Sequence, residues 1–400
     1  MKRARRSLHY PTLTASRRGA IIPGHKEESV PSGSAETVVA KGMCYPLFAY
    51  EVAQSIDLDA AERRMRVVTE RQTVKHKRRA PAYFEYRPAP IRVTLDGAVH
   101  GVGGYRTLPS VELVLYDFGA VSVSYSIPID GPLSGLPGLS YELWGNTRLL
   151  EDSRGHVERL MATLGDAAVR PRIAAFVEDY AIFHIEAFAT PCDAVALATE
   201  HAVTVAQILR AEPHALSQQE VADATASRLS FGPNDAAFID TDATVLFDPE
   251  GDDVRAVVEF ANTQLLEMRY LDQELDDALD RSYEMLTRRH WSRVRARRYG
   301  PDLLQLAELH MDGALLFERV TNALKLVGEQ YLARIYGLVS RRFRLAEWDA
   351  GITRKLQAID SIYGKMADRV AARRMELLEW IIIVLIAFSI LISFRSVAPH

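Results

Sequence analysis

Residues 377–394 read LLEWIIIVLIAFSILISF. From Trp380 to Phe394 no residue is charged, and only Ser389 and Ser393 are polar. A helix needs about 20 apolar residues to cross a bilayer, with about 17 as the lower limit. The run is short, but Trp380 suits a membrane interface, and Arg374 and Arg395 reach back toward headgroups. The run therefore predicts a single transmembrane helix, the other reading being a buried core helix. Arg369, Arg373 and Arg374 precede it and Arg395 follows it. That asymmetry places the large N-terminal part on the cytoplasmic side of a bacterial inner membrane, or on the matrix side of a mitochondrial one. Because the run lies close to the C-terminus, it predicts a tail anchor.

Upstream of the run, prolines are rare. After Pro249 only Pro301 and Pro399 occur. Long proline-free stretches favour long helices. Val254, Val257, Ala261, Leu265, Met268, Leu271, Leu275 and Leu279 step by three and four. Leu316, Val320, Leu324, Val327, Tyr331, Ile335 and Leu338 do the same, followed by Ile352, Leu356, Ile359, Tyr363, Met366 and Val370. Such heptad-like spacing gives a coiled coil or an antiparallel bundle over 251–374. Gly351 is either a turn between helices or a glycine within one continuous rod. Packing within the chain and self-association into a homo-oligomer both fit the spacing.

The N-terminal part has a different texture. Residues 1–40 are rich in Ser, Thr and Gly, and Lys2, Arg3, Arg5, Arg6, Arg17 and Arg18 precede the first acid, Glu27. They read as a disordered basic tail or, alternatively, as a transit peptide. Over 43–190 the pattern predicts an α+β domain with a mostly antiparallel sheet. Its strands fall at 45–52, 83–87, 91–95 and 181–188, with helices at 58–69 and 141–164. Val121, Val123, Tyr125 and Ile127 alternate with Ser122, Ser124 and Ser126, which predicts a strand with one buried and one wet face. A mixed segment, 191–250, holds a helix over 194–209 and another over 217–229. The second opens on Ser217-Gln218-Gln219-Glu220, a capping-box spacing. An apolar hairpin or strand follows at 236–247.

Composition bounds the function. The charged fraction of 25% and the apolar fraction of 48% are those of an ordinary globular protein. A net charge of −4 argues against a dedicated nucleic-acid binder. Cys44 and Cys192 form no spaced motif, so a cysteine zinc site and a disulfide framework are excluded. The histidines are scattered and offer no ligand set, and His184 on an apolar strand reads as structural. No catalytic, cofactor or metal residues are assigned.

Three motifs each have a plainer reading. Phe238-Ile239-Asp240-Thr241-Asp242-Ala243 resembles the first motif of haloacid-dehalogenase-type phosphatases, in which one Asp is the nucleophile and the next the acid/base. Ala243 stands where that motif prefers Gly, and the expected parallel strands do not follow, so a hairpin turn is the plainer reading. Gly101, Gly103 and Gly104 lack a following GK[ST] and read as a turn. Arg288, Arg289, Arg293, Arg295, Arg297 and Arg298 surround Trp291 and could grip RNA phosphates or anionic lipid. The plainer reading is a solvated helix end paired with upstream acids. Lys75, Lys77, Arg78 and Arg79 form a weaker cluster.

Leu378-Glu379-Trp380-Ile381-Ile382-Ile383-Val384-Leu385-Ile386 resembles the closing signature of the "required for meiotic nuclear division 1" family, which includes the fungal sporulation relatives. The preceding helix and the strand Tyr180-Ala181-Ile182-Phe183-His184-Ile185-Glu186-Ala187-Phe188 are similar to it more loosely. One departure is Ala387-Phe388-Ser389, where the family pattern has an acidic residue. The resemblance implies membrane-associated assembly, and the family's mitochondrial member is similar to a factor supporting translation at the inner membrane. The reading is thus a tail-anchored, non-enzymatic scaffold. Its alternatives are a membrane-tethered phosphohydrolase using Asp240 and Asp242, or a subunit of an oligomeric channel.

Overall fold

The computed structural model describes residues 36–69, 88–189, 191–287 and 330–397. In chain order the elements are β1 (Val38–Glu51), β2 (Ser55–Ile56), α1 (Leu58–Thr69), β3 (Ile91–Asp96), the hairpin β4 (Gly101–Val102) and β5 (Tyr105–Arg106), β6 (Ser110–Leu115) and β7 (Ala120–Tyr125). Then come β8 (Ile127–Pro128), β9 (Gly131–Pro132), α2 (Leu136–Leu143), α3 (Thr147–Leu164), β10 (Ala168–Val169) and β11 (Val177–Phe188). The chain continues through α4 (Ala194–Thr199), α5 (Ala202–Leu209), α6 (Gln218–Ala224), β12 (Arg228–Leu229), β13 (Ala236–Ile239) and β14 (Ala243–Phe247). The last helices are α7 (Asp252–Thr287), α8 (Gln330–Arg342) and α9 (Leu345–Val397).

One large sheet runs β12-β13-β14-β11-β1-β7-β6-β3, with β8 and β9 also paired to β1. All its described pairs are antiparallel except β11 with β14. The α+β class with a mostly antiparallel sheet is therefore observed. β1 is the organising strand, pairing with β11 from Val39↔Phe188 to Tyr50↔Val177. Its far end needs Gly119: at φ +107, a Cβ there would lie 1.8 Å from the Ala53 carbonyl oxygen. Only glycine lets that backbone approach so closely.

Both faces of the sheet are covered. One carries Phe48, Phe183 and Val245 against α1 to α6. The other carries Leu47, Ile182 and Leu246 against α7, α8 and the first half of α9. The serines of β7 are therefore not wet. Ser122 and Ser124 are buried, and Ser122 donates to Glu259 Oε1 of α7 at 2.8 Å. Alternation in β7 separates two buried faces, one of them polar, because α7 lies across the second.

Several helix boundaries differ from expectation. The helix at 141–164 is two, and Asn146 opens the second by accepting from Leu149 N at 3.0 Å. The helix at 194–209 breaks near His201. The capping spacing at Ser217 holds, with Ser217 Oγ accepting from Glu220 N, but that helix ends at Ala224 and the chain turns into β12. Gly351 lies inside one continuous helix, and the break falls instead at Arg344, whose φ is 55.

The tail-anchor expectation is overturned. Among the described residues, no helix is long and apolar enough to cross a membrane. Leu378, Glu379, Trp380, Ile381, Ile382, Ile383, Leu385 and Ile386 form the exposed end of α9, a helix of 53 residues. The physical reason is length. The uncharged run from Trp380 to Phe394 is 15 residues, short of the roughly 20 a span requires.

Candidate functional site

The β13–β14 hairpin carries the phosphatase-like motif, and its two carboxylates separate. Asp240 N bonds to Ala243 O and closes the turn. The Asp240 side chain is wholly buried, at 0% exposure. Its Oδ1 accepts from Arg342 Nε of α8 at 2.8 Å, and Arg210 Nε, at the end of α5, lies 3.0 Å from Oδ2. Both guanidinium groups also reach Asp223 of α6, at 2.5 and 2.9 Å. Tyr180 donates to the Asp240 carbonyl at 2.9 Å from β11. A carboxylate so enclosed is a clamp that ties α5, α6 and α8 to the sheet. A nucleophile needs an open approach, and both Asp240 oxygens already face cations.

Asp242 points elsewhere, into a shallow cleft at the start of β14. The parallel pairing of β11 and β14 begins at Ala181↔Ala243, so it sets Asp179 and Asp242 at neighbouring strand ends. Ser140, Leu143 and Trp144 of the α2 region and Ala211 after α5 complete the wall. The cleft has a volume of about 50 Å³ and is open to solvent. Both carboxyls stand on the exposed rim, yet adjoining protein raises them above the ordinary range; for Asp242, Asp240 adds its charge. Trp144 is exposed beside them. Only the turn motif hinted at this cleft in the sequence, because Asp179 and Trp144 come from elements far apart in the chain.

On the opposite face an ionic network fixes α7. Arg92 on β3 donates to Glu112 on β6 at 2.5 Å and to Glu259 at 3.0 Å. Arg255 donates to Glu112 at 3.2 Å, and its guanidinium lies 4.3 Å from the Tyr45 ring centroid. Burial alone would lower the Arg92 pKa, but Glu259 and Glu112 outweigh it and keep the group charged. His184 is structural, as expected, with its Nε2 2.7 Å from the Asp248 carbonyl oxygen.

The remaining candidates divide. The basic run Arg288, Arg289, Arg293, Arg295, Arg297 and Arg298 lies outside the described residues, as do Lys75, Lys77, Arg78 and Arg79. Gly101, Gly103 and Gly104 belong to the β4–β5 hairpin, as a turn reading requires. Among the described residues, no group of three or more His, Cys, Asp or Glu side chains is arranged to hold a metal ion. Among the described residues, the end of α9 is an apolar surface with no covering partner. Met375, Leu377, Leu378, Trp380 and the residues from Ile381 to Ile386 are all exposed, with Phe388 and Ile390 beyond.

The chain belongs to the family described as "Uncharacterized protein MJ0711, N-terminal domain", whose model matches residues 41–253. The match ends where α7 begins, so the family unit is the sheet with its short helices. The chain is similar to "Uncharacterized protein MJ0711" of Methanocaldococcus jannaschii, 21% identical over 227 residues, which is 56% of this chain and 67% of that protein. No solved structure matches.

Proposed function

We propose that this protein is a self-associating assembly protein. Its sheet unit is a rigid body, and the end of α9 joins copies of the chain into a homo-oligomer. The exposed apolar surface on that helix end carries the reading. Soluble monomers rarely leave contiguous apolar patches beyond a few hundred Å² uncovered. Here consecutive residues from Trp380 to Leu385 are exposed large hydrophobics, so every side of the helix is apolar. A helix apolar all round needs neighbours all round. Identical helix ends from other copies supply them in a bundle, and each copy brings one. The first half of α9 is held against α7 by Ile352 and Ile359, both fully buried. Such an oligomer would therefore hold its sheet units at a defined distance. The resemblance of 378–386 to a family associated with membrane-linked assembly supports the same reading.

Light scattering on the full chain and on a variant ending at Arg374 tests it. The full chain is expected to show a multiple of the 44.7 kDa chain mass, and the shortened one the mass of a single chain. Equal single-chain masses would overturn it. So would a monomeric full chain that floats with lipid vesicles.

A further inference from the structure

The cleft beside Asp242 is an apolar groove with an aromatic wall and a charged rim. Phe48, Ala181 and Ala243 of the sheet lie among its lining residues. The helices beside it, α2 and α5, are tied together by Ser140 Oγ, which donates to the Ile208 carbonyl at 2.6 Å. The wall after α5 stops at Ala211, whose φ of 49 turns the chain away from the helix axis. At about 50 Å³ the gap takes the end of one side chain, not a whole enclosed ligand. Trp144 directly follows α2, and Tyr141 stands three residues before it, so the two rings are neighbours on the helix surface. They are 66% and 50% exposed.

The charge on the rim is uncompensated. Arg210 acts on Asp242 and Arg269 on Asp179, but both cations are committed elsewhere. Arg210 pairs with Asp223 and Asp240. Arg269 donates to both oxygens of Glu178, at 2.9 and 2.7 Å. Asp242 Oδ2 accepts from the Thr241 hydroxyl at 3.3 Å, a contact that brings no positive charge. Among the described residues, neither Asp179 nor Asp242 has a salt-bridge partner. The charge that complements this groove is therefore positive.

The aromatic wall narrows the choice of cation. A guanidinium is planar and weakly hydrated, so it stacks on an indole while its N–H groups donate to carboxylates. An ammonium is a compact, strongly hydrated charge and has no flat face to stack. We propose that the cleft docks an arginine side chain of a partner peptide, its guanidinium against Trp144 and its N–H groups donating to Asp179 and Asp242. A peptide suits the site better than a free guanidinium compound because the cleft is open and Tyr141 extends the apolar surface beyond it. This docking is independent of self-association through α9.

Fluorine NMR of the full chain labelled with 5-fluorotryptophan tests it at neutral pH. The chain holds four tryptophans, and the signal lost in Trp144→Phe identifies the reporter. The probe is the acetylated, amidated peptide Ala-Ala-Arg-Ala-Ala, with Ala-Ala-Gln-Ala-Ala as its neutral control. The arginine peptide should shift the Trp144 signal saturably and leave the other signals in place. Joint replacement by Asp179→Asn and Asp242→Asn, both on the exposed rim, should weaken that binding by about tenfold or more, as expected for losing charge-assisted hydrogen bonds. A Trp144 signal that stays fixed would overturn the docking. So would equal shifts with the glutamine peptide, or unchanged affinity in the folded double variant. Equal affinity for the single residue N-acetylarginine amide would assign the cleft to a small guanidinium compound and overturn the peptide.

Discussion

The middle of α7 and the end of α9 invert the usual relation between polarity and burial. Residues 257–268 of α7 are buried on every side, although Glu259, Asn262, Gln264 and Glu267 stand among them. Residues 380–390 of α9 are exposed, although none is charged. The difference lies in partners. The sheet offers Arg92 and Ser122 to Glu259, and α8 offers Tyr336 to Gln264 at 2.6 Å. Among the described residues nothing covers the end of α9. Burial in this molecule follows what the rest of the chain supplies, not local hydropathy.

The sharpest way to break the comparison is to remove a polar partner from α7. Glu259→Ala leaves Arg92 buried beside Glu112 alone. Urea unfolding should show a loss of about 3–5 kcal/mol, the cost typical of breaking a buried ion pair from one side. A loss below about 1 kcal/mol would mean that α7 is held by its apolar face, and the polar partnership would lose its role.

The two halves of α9 come next. Ile359 is fully buried against α7, so Ile359→Ala should cost about 2–4 kcal/mol. Its cost should appear even in dilute, dissociated protein.

Glu267 offers a test with the opposite sign. Burial pushes its carboxyl up to about 7, and Glu51 on β1 is raised too, first by burial and then by Glu267. Between the ordinary carboxylate value of 4.5 and about 7, the folded chain holds more protons than the unfolded one. This group's stabilising contribution is complete below the unfolded value and is lost as pH rises through 7. Glu267→Gln should therefore stabilise the protein at pH 8, on the order of 2 kcal/mol, and flatten the slope between pH 5 and 7. Destabilisation by this variant at pH 8 would show that the ionised carboxylate has a partner. The smallest effect is expected at the exposed end: Ile382→Ala should change the unfolding free energy of dilute protein by no more than about 0.5 kcal/mol, while weakening association.

Much of the architecture was legible in the sequence. The three- and four-residue steps of α7 and α9, the hairpin at 236–247 and the Ser217 cap all appear where the pattern put them. Ser122 and Ser124 misled because alternation reports two different faces, not which one meets water. The run at 377–394 misled because its uncharged part, Trp380 to Phe394, is shorter than a full span needs. The Asp240 clamp was hidden because Arg210 and Arg342 come from remote elements.

Cross-linking between chains at one position tests the central claim most directly. Ile382→Cys, in a chain with Cys44 and Cys192 replaced, places a thiol on the exposed end of α9, and Ile359→Cys places one in its buried half. Under mild oxidation the account predicts a chain-to-chain disulfide at 382 and none at 359. Absence of that dimer at 382, in protein whose fold is intact, would contradict self-association through the end of α9.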